Sequence, residues 1–207
     1  MSADVVGYER LVADDAEATA AELSRCQALL RRRAEARGGR VLRMQDEECL
    51  IAFASAVDAL RASVALQSDM RERNAALPIH RHLCLRMGLD LGEIEEHADG
   101  NVEGDALTIA TRIGSMLHGE GICVTEAMVS HARGDLYLSF DYLTDLSIDG
   151  IANPVRIYRI IATVTGPRPA KSQSSTRQLA GMAATVLAIV AIGGYVVWQQ
   201  VLAPEPV

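Results

Sequence analysis

Apolar residues recur at helical spacing through 14–37, "DDAEATAAELSRCQALLRRRAEAR", a stretch rich in Ala, Leu, Glu and Arg. The pattern predicts an amphipathic helix, stopped by Gly38 and Gly39. Ahead of it a short apolar run reads as a strand ending at Gly7. After it, 40–45 and 49–53 alternate apolar and polar positions as two strands, with Asp46, Glu47 and Glu48 as the turn between them. Helical spacing returns at 54–77, ending before Pro78, and 82–96 reads as one long strand. Gly88 and Gly92 mark places in that strand for a bulge or a close backbone neighbour. A polar loop, 97–105, leads into a third helix at 106–118, then a strand at 121–125, a short helix at 126–132 and closing strands at 136–148 and 153–161.

The order β-α-β-β-α-β, with a further helix and strands, predicts an α+β, ferredoxin-like sandwich with additions. It occupies 1–161, followed by a polar linker over 162–178. Residues 179–202 change the picture. "LAGMAATVLAIVAIGGYVVW" carries no charge and is long enough to cross a bilayer as a helix, leaving a short tail at 203–207. Tyr195 and Trp198 suit an interfacial belt. Arg168, Lys171 and Arg177 precede the span and no Lys or Arg follows it. The expected arrangement is a single-pass inner-membrane protein with its N-terminal domain in the cytoplasm.

No basic n-region with an apolar h-region opens the chain. The formal net charge is −7 and no basic stripe is evident, which excludes a nucleic-acid groove. Arg31, Arg32, Arg33 and Arg37 sit late in the first predicted helix, where cations favour the negative end of its dipole. Cys26, Cys49, Cys84 and Cys123 are widely spaced, which argues for reduced thiols and against structural zinc. His80 and His82, flanking Arg81, read as solvated strand-edge residues rather than ligands.

"ADVVGYERL", "GGRVLRMQDE", "RMGLDLGEI", "GDALTIATRIGSM", "GEGICVTE" and "DGIANPVRIYRI" resemble, in order and spacing, the catalytic domains of class III adenylate/guanylate cyclases, and the bacterial branch most of all. The likeness covers essentially 3–160. It implies a homodimer or heterodimer with another cyclase-like domain, with active sites between protomers. Two carboxylates of one protomer would hold two divalent metals, Mg²⁺ or Mn²⁺, which neutralise the triphosphate and activate the ribose hydroxyl. The other protomer would read the base and steady the transition state.

The resemblance places Asp4 at the first metal-binding Asp and Glu47 at the second, with Asp46 taking that role if the register slips by one. Asp46 and Glu48 stand where the family has glycines. Glu47 carries one methylene more than Asp, against the tight octahedral demand of Mg²⁺. The alternative for "QDEE" is a solvated acidic turn. Gly7, Tyr8 and Glu9 match the loop facing the triphosphate, with Glu9 replacing Ser or Thr. Arg43 stands for the base-reading Lys and Asn101 for its partner Asp. Thr108 replaces the ribose-positioning Asn, while Arg112 retains the family Arg, either as catalytic ancestry or as an ion-pairing helix residue. Asp149 stands where a phosphate-neutralising Lys belongs. These departures predict a catalytically impaired or inactive domain acting through dimerisation in cyclic-nucleotide signalling. Two alternatives are an active adenylate cyclase, most plausibly the metal-donating half of a heterodimer, and a non-catalytic nucleotide sensor. Mg²⁺ or Mn²⁺ is expected only where activity or ATP binding survives.

Overall fold

The computed structural model describes residues 1–97, 101–132 and 138–163. Nine strands and five helices are assigned among them: β1 Ser2–Val5, α1 Tyr8–Asp14, α2 Ala16–Glu35, β2 Arg40–Gln45, β3 Glu48–Ala52, α3 Ala56–Ala75, β4 Leu85–Leu89, β5 Glu95–Glu96, β6 Val102–Glu103, α4 Asp105–Ser115, β7 Gly121–Thr125, α5 Glu126–Ala132, β8 Leu138–Leu146 and β9 Val155–Thr163. The main sheet runs β2-β3-β1-β4-β7-β9-β8. Its first four strands are antiparallel and reproduce the ferredoxin-like order expected from the pattern. β7 joins β4 in parallel, and β9 and β8 extend the sheet antiparallel.

Side-chain alternation gives the sheet two different faces. Ala3, Val5, Cys49, Ile51, Leu85, Met87 and Leu89 share a core with Cys26 and Leu30 of α2 and with Leu60, Leu66 and Met70 of α3. Full burial of each large aliphatic side chain contributes about 1.5–3 kcal/mol. Asp15 and Ser55 cap these helices by accepting from the amides of Ala18 and Asp58, at 2.9 and 3.3 Å. The Arg33 guanidinium ties α2 to α3 through both oxygens of Asp69, at 2.5 and 2.7 Å, so the basic run is partly structural. From α3, Gln67 donates to the carbonyls of Leu85 and Gly121, linking the parallel pair β4–β7.

The opposite face carries α4. Ile109, Ile113 and Leu117 pack with Cys123 and Ile157 in a second, smaller core. Gly88 makes this approach possible, since a Cβ there would stand 1.9 Å from the Ala110 carbonyl oxygen. Gly92 likewise lies against Ala106. Both glycines thus mark close neighbours, as their placement in the sequence suggested.

Several boundaries differ from the pattern. The expected helix at 14–37 is α2, which begins at Ala16 because Asp15 is extended and caps it, and residues 8–14 form a helix that the pattern did not predict. The expected strand at 82–96 ends at Leu89, where Asp90 turns to accept from the Thr125 hydroxyl, at 2.6 Å. Glu95–Glu96 then pairs with Val102–Glu103 in a separate ribbon, so the 97–105 loop contains a strand. Glu48 pairs with Gln45, which shortens the acidic turn to Asp46 and Glu47. His80 lies in a 3₁₀ turn, Ile79–Arg81, and His82 caps it with its ring on the Leu77 carbonyl, rather than at a strand edge. Among the described residues no helix is long and apolar enough to cross a membrane. The expected span at 179–202 and its linker lie outside them.

Candidate functional site

Asp4 is the centre of a row across three strands. On β1 it faces Glu48 of β3 on one side and Arg86 of β4 on the other, all directed to the α4 face. Arg86 donates from Nε to Asp4 Oδ2 at 2.6 Å, and its Nη2 reaches the same oxygen. The two side chains are only 27% and 20% exposed. Nη1 of Arg86 lies 3.5 Å from the carbonyls of Ser115 and Leu117, at the negative end of α4.

Glu47 sits next to this row in the two-residue tip of the β2–β3 hairpin. Asp46 takes φ 48°, the left-handed turn conformation that a glycine would adopt without strain. Its carbonyl accepts from Gln27 Nε2 at 2.8 Å, which braces the tip against α2. Arg43, Gln45, Asp46, Glu47 and Glu48 line a shallow cleft, in which Arg43 approaches Glu48 at 3.8 Å. Both partners of that pair are more than half exposed, so it contributes little to stability.

A second depression, of about 450 Å³, adjoins the row at Ser115. Arg43, Thr108, Thr111, Arg112 and Ser115 supply its polar lining and Leu50, Val102, Leu107 and Ile148 its apolar lining. It thus unites Arg43, Thr108 and Arg112, which the sequence placed at one site. Thr108, Thr111, Arg112 and Ser115 recur at three- and four-residue intervals along the exposed stripe of α4. Asp149 is exposed in a turn closed by the Ile151 amide on the Ile148 carbonyl, with Gly150 at φ 85°. Asn101 precedes β6, and its carbonyl accepts from the His97 amide at 2.8 Å.

The glycine-led loop becomes the start of α1. Gly7, at φ 68°, is its N-cap and Glu9 lies exposed in the first turn, while Tyr8 packs against the main core. The Tyr8 side chain is therefore a packing element, while its backbone stands at the start of α1. Arg86 was not singled out from the sequence. The available sign was a lone cation inside the apolar run "LCLRMGL", in phase with the outward-facing side. At the end of β4, burial raises the pKa of Asp90, opposed by hydrogen bonds from Thr125 and the Leu91 amide and by the positive amino terminus.

No family model matches the chain. "Putative adenylate cyclase 3" of Rhizobium meliloti (strain 1021) is 30% identical over 159 residues, 76% of this chain and 27% of that protein. The chain thus spans about a quarter of the length of this curated relative. A solved adenylate/guanylate cyclase/hydrolase from Silicibacter pomeroyi superposes with a TM-score of 0.68 at 25% identity, covering 78% of this chain and 94% of that one. The domain is of the class III adenylate/guanylate cyclase type. The adenylyl cyclase CyaB from P. aeruginosa shares the fold, with a TM-score of 0.68 at 19% identity over 81% of this chain and 94% of its own.

The metal-carboxylate positions of this cyclase domain fit a pair of divalent ions poorly. One oxygen of Asp4 already accepts twice from a guanidinium. Among the described residues no group of three His, Cys, Asp or Glu is gathered to hold a metal. Near a protein surface, two like unit charges 4 Å apart repel by about 4 kcal/mol, and a divalent ion beside Arg86 doubles the charge product. The geometry brings together the row of Asp4, Glu48 and Arg86 and the Arg43–Thr108–Arg112 depression, and leaves Asn101 and Asp149 at exposed points beside the latter.

Proposed function

We propose that this cyclase domain is catalytically silent or nearly so, and serves as a dimerising regulatory partner of another cyclase-type domain in cyclic-nucleotide signalling. The observation that carries the reading is the state of the site's cations. Arg86 is engaged by Asp4 and Arg43 lies against Glu48, while Glu9, Glu47 and Asp149 add uncompensated anionic character where a purine triphosphate would have to lie. Phosphoryl-type chemistry depends on positioning and charge neutralisation, and each 1.36 kcal/mol lost from the transition state is a factor of ten in rate. In this reading residues 179–202 anchor the domain to the inner membrane, with its cyclase fold in the cytoplasm. Confinement to a bilayer raises the effective concentration of protomers for pairing.

The R. meliloti relative favours a second reading, in which the domain is the metal-donating half of a heterodimeric adenylate cyclase that forms cAMP and pyrophosphate from ATP. A third is a nucleotide sensor without turnover. A cyclase assay on the full chain separates them, run with ATP and GTP, Mg²⁺ and Mn²⁺, alone and mixed with other cyclases of the same cell. The regulatory reading expects no product from the chain alone and altered activity of a partner that it captures. Product from the chain alone overturns it. Partner-dependent product that is lost with Asp4→Asn assigns the heterodimer. Nucleotide binding without product assigns the sensor.

A further inference from the structure

We infer that the Arg86 guanidinium is the built-in cation of this site, neutralising Asp4 where a divalent ion would otherwise do so and fastening the β1–β4 pair to the end of α4. The contact is dictated by backbone register. Asp4 and Arg86 are direct Cα partners on adjacent antiparallel strands, so their meeting does not depend on two mobile surface side chains finding one another. Nε and Nη2 converge on Asp4 Oδ2, and Nη1 turns toward the carbonyls of Ser115 and Leu117.

Gly88, two residues along β4, lets α4 descend onto the sheet and brings that carbonyl end within reach. Guanidinium is planar and offers its donors in a fixed fork, so it serves as a positive plug of defined geometry. The Arg43–Glu48 pair differs in kind, with both side chains 56% exposed. Removal of Arg86 leaves Asp4, which faces Glu48 across the β1–β3 pair, without its counter-charge, and an uncompensated carboxylate attracts a cation.

The functional meaning of this plug rests on the reading of the domain as catalytically silent, but its test needs no nucleotide. Mn²⁺ is titrated into the nucleotide-free full chain, with thermal unfolding and the paramagnetic signal of bound Mn²⁺ as readouts. The native chain is expected to bind no Mn²⁺ that depends on Asp4, and its unfolding temperature should not respond. Arg86→Gln is expected to unfold at lower temperature without metal. It should recover part of the loss with Mn²⁺ and bind the ion about tenfold or more tighter than the native chain. Adding Asp4→Asn to Arg86→Gln should abolish that gain.

Mn²⁺ binding by the native chain that disappears in Asp4→Asn overturns the inference. So does an Arg86→Gln protein that matches the native chain in both stability and metal response. If Arg86→Gln does not fold, the comparison of native chain with Asp4→Asn still decides. Cyclic-nucleotide product in the separate assay defeats the silent reading and leaves the ion titration to stand or fall by itself.

Discussion

Gly88→Ala is the sharpest single test of how this domain is built. An added Cβ would stand 1.9 Å from the Ala110 carbonyl oxygen and 2.7 Å from the Gly114 nitrogen. Both neighbours are backbone atoms of α4, so no side chain can swing aside. Ordinary contact begins near 3.5 Å, and the helix must retreat by roughly 1.5 Å. Ile109, Ile113 and Leu117 then separate from Cys123 and Ile157. A radial gap of about 0.5–1 Å already forfeits a quarter to a half of each dispersion contact. Applied to three side chains worth about 1.5–3 kcal/mol each, the loss is about 1–4 kcal/mol, in the range of overpacking measured in cores. For a domain of this size, about 3 kcal/mol lowers Tm by roughly 6–12 °C. Urea unfolding of the variant checks the value. Gly119→Ala is the control, because a Cβ there meets nothing within 4 Å. A Gly88→Ala protein as stable as the Gly119→Ala control would refute the close seating of α4, and with it the placing of Ser115 and Leu117 over Arg86.

The cysteines offer a chemical check. Burial pushes the thiol of Cys26 up to about 12 and those of Cys49 and Cys123 up to about 11, while Cys84 is half-buried and also raised by burial. At pH 8 roughly a thousandth or less of the first three is thiolate, so iodoacetamide should mark Cys84 first and the others only on unfolding, as read by mass spectrometry. Rapid native labelling of Cys26 would contradict the packing of α2 on α3. Asp15→Ala removes the cap of α2 and should cost about 1 kcal/mol, a fall of about 2–4 °C in Tm by thermal unfolding. Asp90→Asn tests the buried end of β4. Because the folded-state pKa of Asp90 is raised, its protonated form favours folding below the ordinary 3.8, and that contribution is lost as pH rises through the folded value. Urea denaturation should therefore show the stability difference moving in favour of Asp90→Asn over that window and levelling off above it. A difference that moves the other way with rising pH would overturn the assignment.

The pattern of apolar positions was enough to place the main-sheet strands and the long helices, because each repeats at its own period over four or more residues. It failed where a local polar contact outweighs periodicity. Asp15 ends an unpredicted helix at 8–14 and caps α2, and Asp90 leaves the sheet for Thr125 although apolar alternation continues past it. Glu48 reads as part of an acidic turn until its pairing with Gln45 shows that the tip needs only two residues.

From periodicity alone, without the family resemblance, the site was legible only where its residues share one short segment. Thr108 and Arg112 are four apart on one helix, and their common exposure follows from the α-helical period. Asp4 and Arg86 are separated by 82 positions, and nothing local in either strand calls for the other. Their meeting follows from the strand order, in which β1 lies between β3 and β4 so that the outward side chain of each strand joins one row. The same order places the acidic hairpin tip beside that row. The charge balance of the site is therefore a property of the sheet register, and a one-residue slip of β4 against β1 would turn Arg86 toward the main core and put Leu85 or Met87 beside Asp4. Burying the guanidinium there would cost far more than the ion pair contributes, so Arg86, together with its two apolar neighbours, specifies the register that the site requires.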